Sequence, residues 1–274
     1  MKYKIKLAVI MVLTLSMFYS CKKNVLRTTE TFLPDDKAFV KFNLLSPGTP
    51  NVMIKVNEGK INSSTAGFLG VFPNTINLQD YVALPTTSNI KFSIPNLGTS
   101  NDSIIINTTQ LTFQPKKFYS VTLADTGINR TFFSVLDNEN IPLTADSFYN
   151  IRLIHAMADS TSLTPPNLSL IRVDSTSSTS FIRDTIINNI PYKTASNLVT
   201  VPTYSKRIGT TNSFHSFVRY RLFVTSTGVS IGNLVTPAQS TLITRRNTSI
   251  YAIGFIKGTG IFAPTLSSTI LFNK

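Results

Sequence analysis

Two histidines, three glutamates, ten aspartates and one cysteine are the groups in this chain that could act as base, nucleophile or metal ligand. Their spacing is unpromising for catalysis. His155 and His215 stand 60 residues apart, which makes neither a dyad nor a metal-ligand pair. His155 closes an alternating segment and reads as a wedged or capping side chain. His215 lies in the polar stretch Asn212-Ser213-Phe214-His215-Ser216. Glycoside hydrolysis needs two carboxylates across a cleft. Glu30 precedes the first strand pattern, and Glu58 and Glu139 fall in turn-like sequence. Gly67 and Gly70 fit no phosphate-binding loop, and no EF-hand loop occurs. No catalytic residue, metal or cofactor is expected.

The cysteine has a different context. Residues 1–20 begin with Lys2, Lys4 and Lys6, continue through an apolar run from Leu7 to Leu15, and end at Ser20, directly before Cys21. That is the three-part layout of a signal peptide. The apolar run is short and broken by Thr14 and Ser16, against the ~20 apolar residues a membrane span needs. The Ser20-Cys21 junction with Lys22-Lys23 after it resembles the loose lipobox of Bacteroidetes-type lipoproteins. That resemblance implies a diacylglycerol thioether on Cys21, which becomes the first residue of the mature chain. Two or three acyl chains hold a protein on a membrane where one binds only marginally.

Removing residues 1–20 takes away three lysines and no acids, so the formal net charge falls from +13 to +10. The excess arises because acids are scarce. The densest basic spots, Lys116-Lys117, Lys206-Arg207 and Arg245-Arg246, form no run of the kind that binds nucleic acid. No nucleic-acid partner is expected. No second cysteine exists for a disulfide, so stability must come from the core.

Ser, Thr, Asn and β-branched residues favour strands and turns. In 38–44, Ala38, Val40, Phe42 and Leu44 share one face. Tyr119, Val121 and Leu123 alternate with Phe118, Ser120 and Thr122; Tyr220 and Leu222 alternate with Arg219 and Arg221. Period two marks a strand with one face buried. No 12-residue window carries a helical stripe. The expected fold class is all-β, as two tandem immunoglobulin-like β-sandwich domains behind a lipoprotein signal peptide. The expected divisions are a signal peptide over 1–20, a lipidated tether over 21–36, one sandwich over 37–143 and a second over 144–274.

The tandem division rests on an internal repeat. Val40–Gly48 aligns with Ile151–Asp159, and Asn51–Asn57 with Asn167–Asp174. Tyr81–Pro85 aligns with Leu198–Pro202, and Lys116–Val121 with the segment starting at Arg245. Leu44 is then the counterpart of His155, and Tyr119 and Tyr251 are expected at equivalent places. The boundary is expected near Asn138–Ser147. Val40-Lys41-Phe42-Asn43-Leu44-Leu45-Ser46-Pro47-Gly48 and Ile151–Asp159 resemble the "VRFVNASPD" opening of the bacterial domain of unknown function 4397. Val52–Gly59 resembles its "VDVYVDG" strand, Tyr81–Pro85 its "YVAVPAG" element, and Pro115–Val121 its "AGKAYTVV" strand. Leu44 and His155 stand where that family usually shows Asn. The resemblance implies an immunoglobulin-like sandwich on exported, often lipidated proteins, and implies no activity.

Binding is therefore the expected business of this chain. The loop-rich stretch from Asn188 to Ser216 offers Tyr192, Tyr204, Lys206, Arg207 and His215 as candidate ligand-binding residues. Four Asp-Ser/Thr triplets match a Bacteroidetes O-glycosylation sequon and nominate Ser103, Ser160, Ser175 and Thr185. The functional expectation is a non-enzymatic cell-envelope lipoprotein with a binding, adhesion or scaffolding role. The alternative is a glycan-binding accessory lipoprotein of a polysaccharide-uptake system. Expected partners are the membrane through the lipid anchor, and a glycan or envelope protein. The outer membrane is the expected location, with the side it faces left open.

Overall fold

The computed structural model describes residues 35–73, 81–95, 102–126, 129–137, 148–159, 164–175, 181–202, 219–235, 247–260 and 263–270. The expected boundary at Asn138–Ser147 and the signal peptide lie outside the described residues. Every named element is a β-strand. The first half holds β1 (Lys37–Leu44), β2 (Met53–Val56), β3 (Gly59–Lys60), β4 (Gly70–Phe72), β5 (Val82–Pro85), β6 (Thr87–Pro95), β7 (Asp102–Thr112), β8 (Phe118–Ala124) and β9 (Thr131–Asp137). The second holds β10 (Phe148–His155), β11 (Leu168–Ser175), β12 (Phe181–Ile190), β13 (Val199–Pro202), β14 (Arg219–Val224), β15 (Ser230–Val235), β16 (Asn247–Ile253) and β17 (Thr265–Ile270).

Each half contributes two sheets, and the halves repeat one plan. In one sheet of the first half β1 runs parallel to β8, β5 and β4 pair antiparallel with the start and end of β1, and β9 borders β8. In the second half β10 runs parallel to β16, with β13 on the start of β10 and β17 on β16. A bridge between Ile154 and Ala195 takes the place of β4. The other sheet is antiparallel in both: β3-β2-β6-β7, then β12-β11-β14-β15. The registers of β5 on β1 and of β13 on β10 match residue for residue. Lys37 faces Pro85 and Val40 faces Val82; Phe148 faces Pro202 and Ile151 faces Val199.

The cores follow from alternation. Ala38, Val40, Phe42 and Leu44 of β1 meet Ile54, Ile90 and Phe92 of the antiparallel sheet. Phe42 and Phe92 touch edge to face at 5.9 Å between centroids. In the second half Tyr149, Ile151 and Leu153 meet Leu168, Leu170, Tyr220 and Leu222. Burying each such side chain is worth about 1.5–3 kcal/mol. The Tyr149 and Tyr220 hydroxyls bond each other across the two sheets, so neither polar end is left unpaired in the core. β1 ends at a turn. Gly48 has φ +70, which favours glycine, and Thr49 Oγ1 donates to the Ser46 carbonyl at 2.6 Å.

One expected equivalence fails. Tyr119 pairs with Val40, whereas Tyr251 pairs with Ile154, which is the counterpart of Asn43 and not of Val40. An offset of three residues turns a strand over, because side chains alternate with period two. Tyr119 therefore lies in the first core, where its hydroxyl accepts from the Gln114 N–H at 3.0 Å. Tyr251 points to the opposite face.

Candidate functional site

The face of β1 turned away from its own core is also buried. All residues from Ala38 to Leu44 are shielded from solvent, and so are those of β8, β16 and, after Phe148, β10. The cause is the other half. Leu45, Ala124 and Phe133 of the first half join Ile154, Ala156, Tyr251 and Ile253 of the second in a third apolar cluster. The two sheets built on parallel pairs thus share a seam, and the polar residues of their alternating strands are enclosed in it.

Arg152 on β10 is the centre of that seam. It is 4% exposed, and Asp137 at the end of β9 is 2% exposed. The Arg152 guanidinium pairs with the Asp137 carboxylate through Nη2. Nη1 donates to the Leu136 carbonyl at 2.9 Å, and Nε donates to Ser249 Oγ at 2.8 Å. The second carboxylate oxygen of Asp137 accepts from Tyr81 and from Ser120, each at 2.8 Å. Burial first, then the Asp137 charge, raises the Tyr81 pKa, so this phenol stays protonated and donating. Lys41, the counterpart of Arg152 in the first half, is 1% exposed and holds its ammonium 4.6 Å from the centre of the Tyr81 ring. Asn43 Nδ2 donates to the Tyr251 hydroxyl at 3.1 Å, a further link across the halves.

A second polar group closes the rim. Lys193 pairs with Asp125 at 2.6 Å, Thr131 donates to Asp125 at 2.7 Å, and the Tyr192 hydroxyl donates to the same carboxylate. Burial alone would raise the Asp125 pKa, but hydrogen bonds from Lys193, Tyr192 and Thr131 outweigh it and hold the carboxyl below its usual value. Asp125 and Lys193 both adopt left-handed backbone, with φ of 61° and 59°. Such conformations cost energy and persist where surrounding contacts fix them.

Tyr192 is therefore part of the join between the halves. Its ring packs edge-on against His155 at 5.3 Å, and the Lys193 ammonium lies 5.0 Å from its centre. The long loop expected over 188–216 is also shorter. β12 continues to Ile190 and β13 occupies Val199–Pro202, pairing with β10. Tyr204, Lys206, Arg207 and His215 lie outside the described residues, as do Cys21 and Ser160. Of the sequon residues, Ser103 falls on β7, Ser175 on β11, and Thr185 is exposed on β12. Tyr192→Phe should lower stability by about 1 kcal/mol, the usual worth of one hydrogen bond. An unchanged denaturant midpoint would show that its hydroxyl adds nothing to the join.

His155 is fully buried. The Met157 N–H donates to its Nδ1 at 3.3 Å, so the ring proton sits on Nε2 and points to the Pro166 carbonyl at 3.0 Å. Both ring nitrogens are occupied, and desolvation pushes the pKa down to about 4. This is a capping histidine, as the sequence implies. Among the described residues no three His, Cys, Asp or Glu side chains gather as a metal site would require.

Sequence reasoning missed Arg152, Asp137, Tyr81, Lys41, Asp125 and Lys193. Two signals could have found Arg152, Lys41 and Asp137. The repeat puts a long cation at the same strand position in both copies, Lys41 and Arg152. Asp137 is one of few acids and ends a strand.

One open cleft lies away from the seam, in the second half. It measures about 640 Å³ and lies between the β14–β15 turn and the segment leading into β17. Val224, Val229, Ile231, Ile256 and Pro264 supply apolar lining, with Ser226, Ser230, Asp159 and Lys257 as polar groups. Comparison with known proteins found no matching family model and no matching curated protein.

Proposed function

We propose that this chain is a non-enzymatic lipoprotein of the cell envelope, held at the outer membrane through Cys21, with a binding, adhesion or scaffolding role. In this reading it carries two immunoglobulin-like copies of one sandwich unit, diverged relatives of the domain of unknown function 4397. The observation that carries the scaffolding element is the seam. Of the charged groups buried between the halves, Arg152 and Asp137 pair across the seam, and Lys41 lies over the Tyr81 ring beside them. Buried charges fixed by several hydrogen bonds serve rigidity, and a rigid body on a tether suits display or spacing. The glycan-accessory reading draws on Tyr192 and on four residues outside the described set. Since Tyr192 belongs to the seam, no described residue favours that reading.

Anchoring is tested first. The full chain should partition into the detergent phase, and Cys21→Ala should move it to the aqueous phase in unprocessed form. A variant that is processed normally and stays in the detergent phase would remove the anchor. Protease treatment of intact cells then separates a surface from a periplasmic position.

A further inference from the structure

We infer that the cleft of the second half binds a long-chain anionic amphiphile, an aliphatic tail with a carboxylate or similar head. Its size, about 640 Å³, falls within the range of small-molecule sites. Its chemistry narrows the ligand. Ile231, 6% exposed, is buried in the lining, and Val229 stands 60% exposed. Among the described residues every apolar side chain of the lining is aliphatic or proline. Those residues give a sugar no ring to stack on, whereas a polymethylene chain is matched by such walls.

The turn and loop backbone of the cleft offers a peptide no strand to extend. An added strand needs free N–H and C=O groups along an edge. In the β14–β15 turn these groups are already paired: the Val224 N–H donates to the Val229 carbonyl and the Gly228 N–H to the Val224 carbonyl, both at 2.9 Å. The Ile256 N–H donates to the Ala158 carbonyl at 3.1 Å, and the Gly258 N–H to the Phe255 carbonyl at 2.9 Å. The lining offers two charges. Asp159 has a partner of its own, while Lys257 is exposed and carries no hydrogen bond or ion pair among the described residues. An exposed ammonium with no such partner among the described residues, set beside aliphatic walls, complements an anionic head on an aliphatic tail.

The test uses the full chain in membranes of the expressing cells and a photoreactive probe, a long-chain carboxylate bearing a diazirine in its tail. Adducts mapped by mass spectrometry should fall within 224–231 and 256–264. Val229→Asp should abolish them, and because that side chain is mostly exposed, an unchanged urea midpoint will show the fold intact. Lys257→Glu should cut labelling about fivefold, the scale of reversing one exposed charge contact. A matching long-chain alcohol probe should label the same peptides more weakly and ignore the Lys257 change. Adducts confined to other segments, or none, would overturn the inference. So would equal labelling by both probes together with indifference to Lys257→Glu. Either result would leave the anchor at Cys21 untouched, since phase partition of Cys21→Ala reads that separately.

Discussion

Arg152→Met should destabilise this protein by about 3–5 kcal/mol, the cost of removing one partner from a buried ion pair. The methionine fills much of the same volume, so the loss is electrostatic. Asp137 would keep the Tyr81 and Ser120 hydroxyls but lose its counter-charge while 2% exposed. The Leu136 carbonyl and Ser249 hydroxyl would lose donors as well. Adding Asp137→Asn should recover part of the loss, because the uncompensated charge is then gone while an acceptor remains for the hydroxyls. The seam also predicts how the chain unfolds. With Arg152 on the second half and its carboxylate on the first, neither half is electrically satisfied alone. Denaturant titration should give one transition for both halves, followed by any probe. Two separated transitions in the wild type, or a loss under 1 kcal/mol in Arg152→Met, would reject the seam as a stabilising interface.

The seam also marks where sequence reasoning stops. Val40, Phe42 and Leu44 announce a strand because alternation with apolar residues has one physical outcome, a strand packed on a core. The repeat was legible for the same reason: both copies must present equivalent faces, so Val40 and Ile151 hold equivalent registers against Val82 and Val199. Alternation assigns the intervening residues to solvent, and here that inference fails. Lys41, Asn43 and Arg152 look like outward residues, yet the second half covers the first. A single strand's pattern cannot report a neighbour supplied 100 residues later. Tyr251 shows the same limit. Its likeness to Tyr119 is of residue type, while the pleat decides which core each tyrosine enters. Tyr192 read as an open-loop aromatic because its neighbours are polar, but those neighbours, Lys193 and Thr194, turn the chain back onto the rim.

Acid should weaken the fold between pH 6.5 and pH 4, and His155 should account for much of that change. Its pKa in the folded chain is pushed down to about 4 from an ordinary 6.5. In that window the unfolded chain takes up a proton that the folded chain refuses. Stability is therefore complete above pH 6.5 and is lost as pH falls toward 4, by roughly 3 kcal/mol in total from this one group. The refusal has a structural cause. Nδ1 is the only site open to a second proton, and it already accepts the Met157 N–H at zero solvent exposure. Asp125, held below its usual pKa, adds a loss of the same sign at lower pH, as its carboxyl protonates. The two are separable by substitution. His155→Leu copies the residue that the first half carries at this position, Leu44, which faces Leu123 as His155 faces Ala252. The variant loses the cap on Met157 and Pro166, so it should be less stable at pH 7. Its denaturation free energy should nonetheless stay nearly flat from pH 6.5 to pH 4.5, where the wild type declines. Parallel slopes for the two proteins across that range would mean that His155 is not held neutral by its burial, and that the acid sensitivity arises elsewhere in the chain.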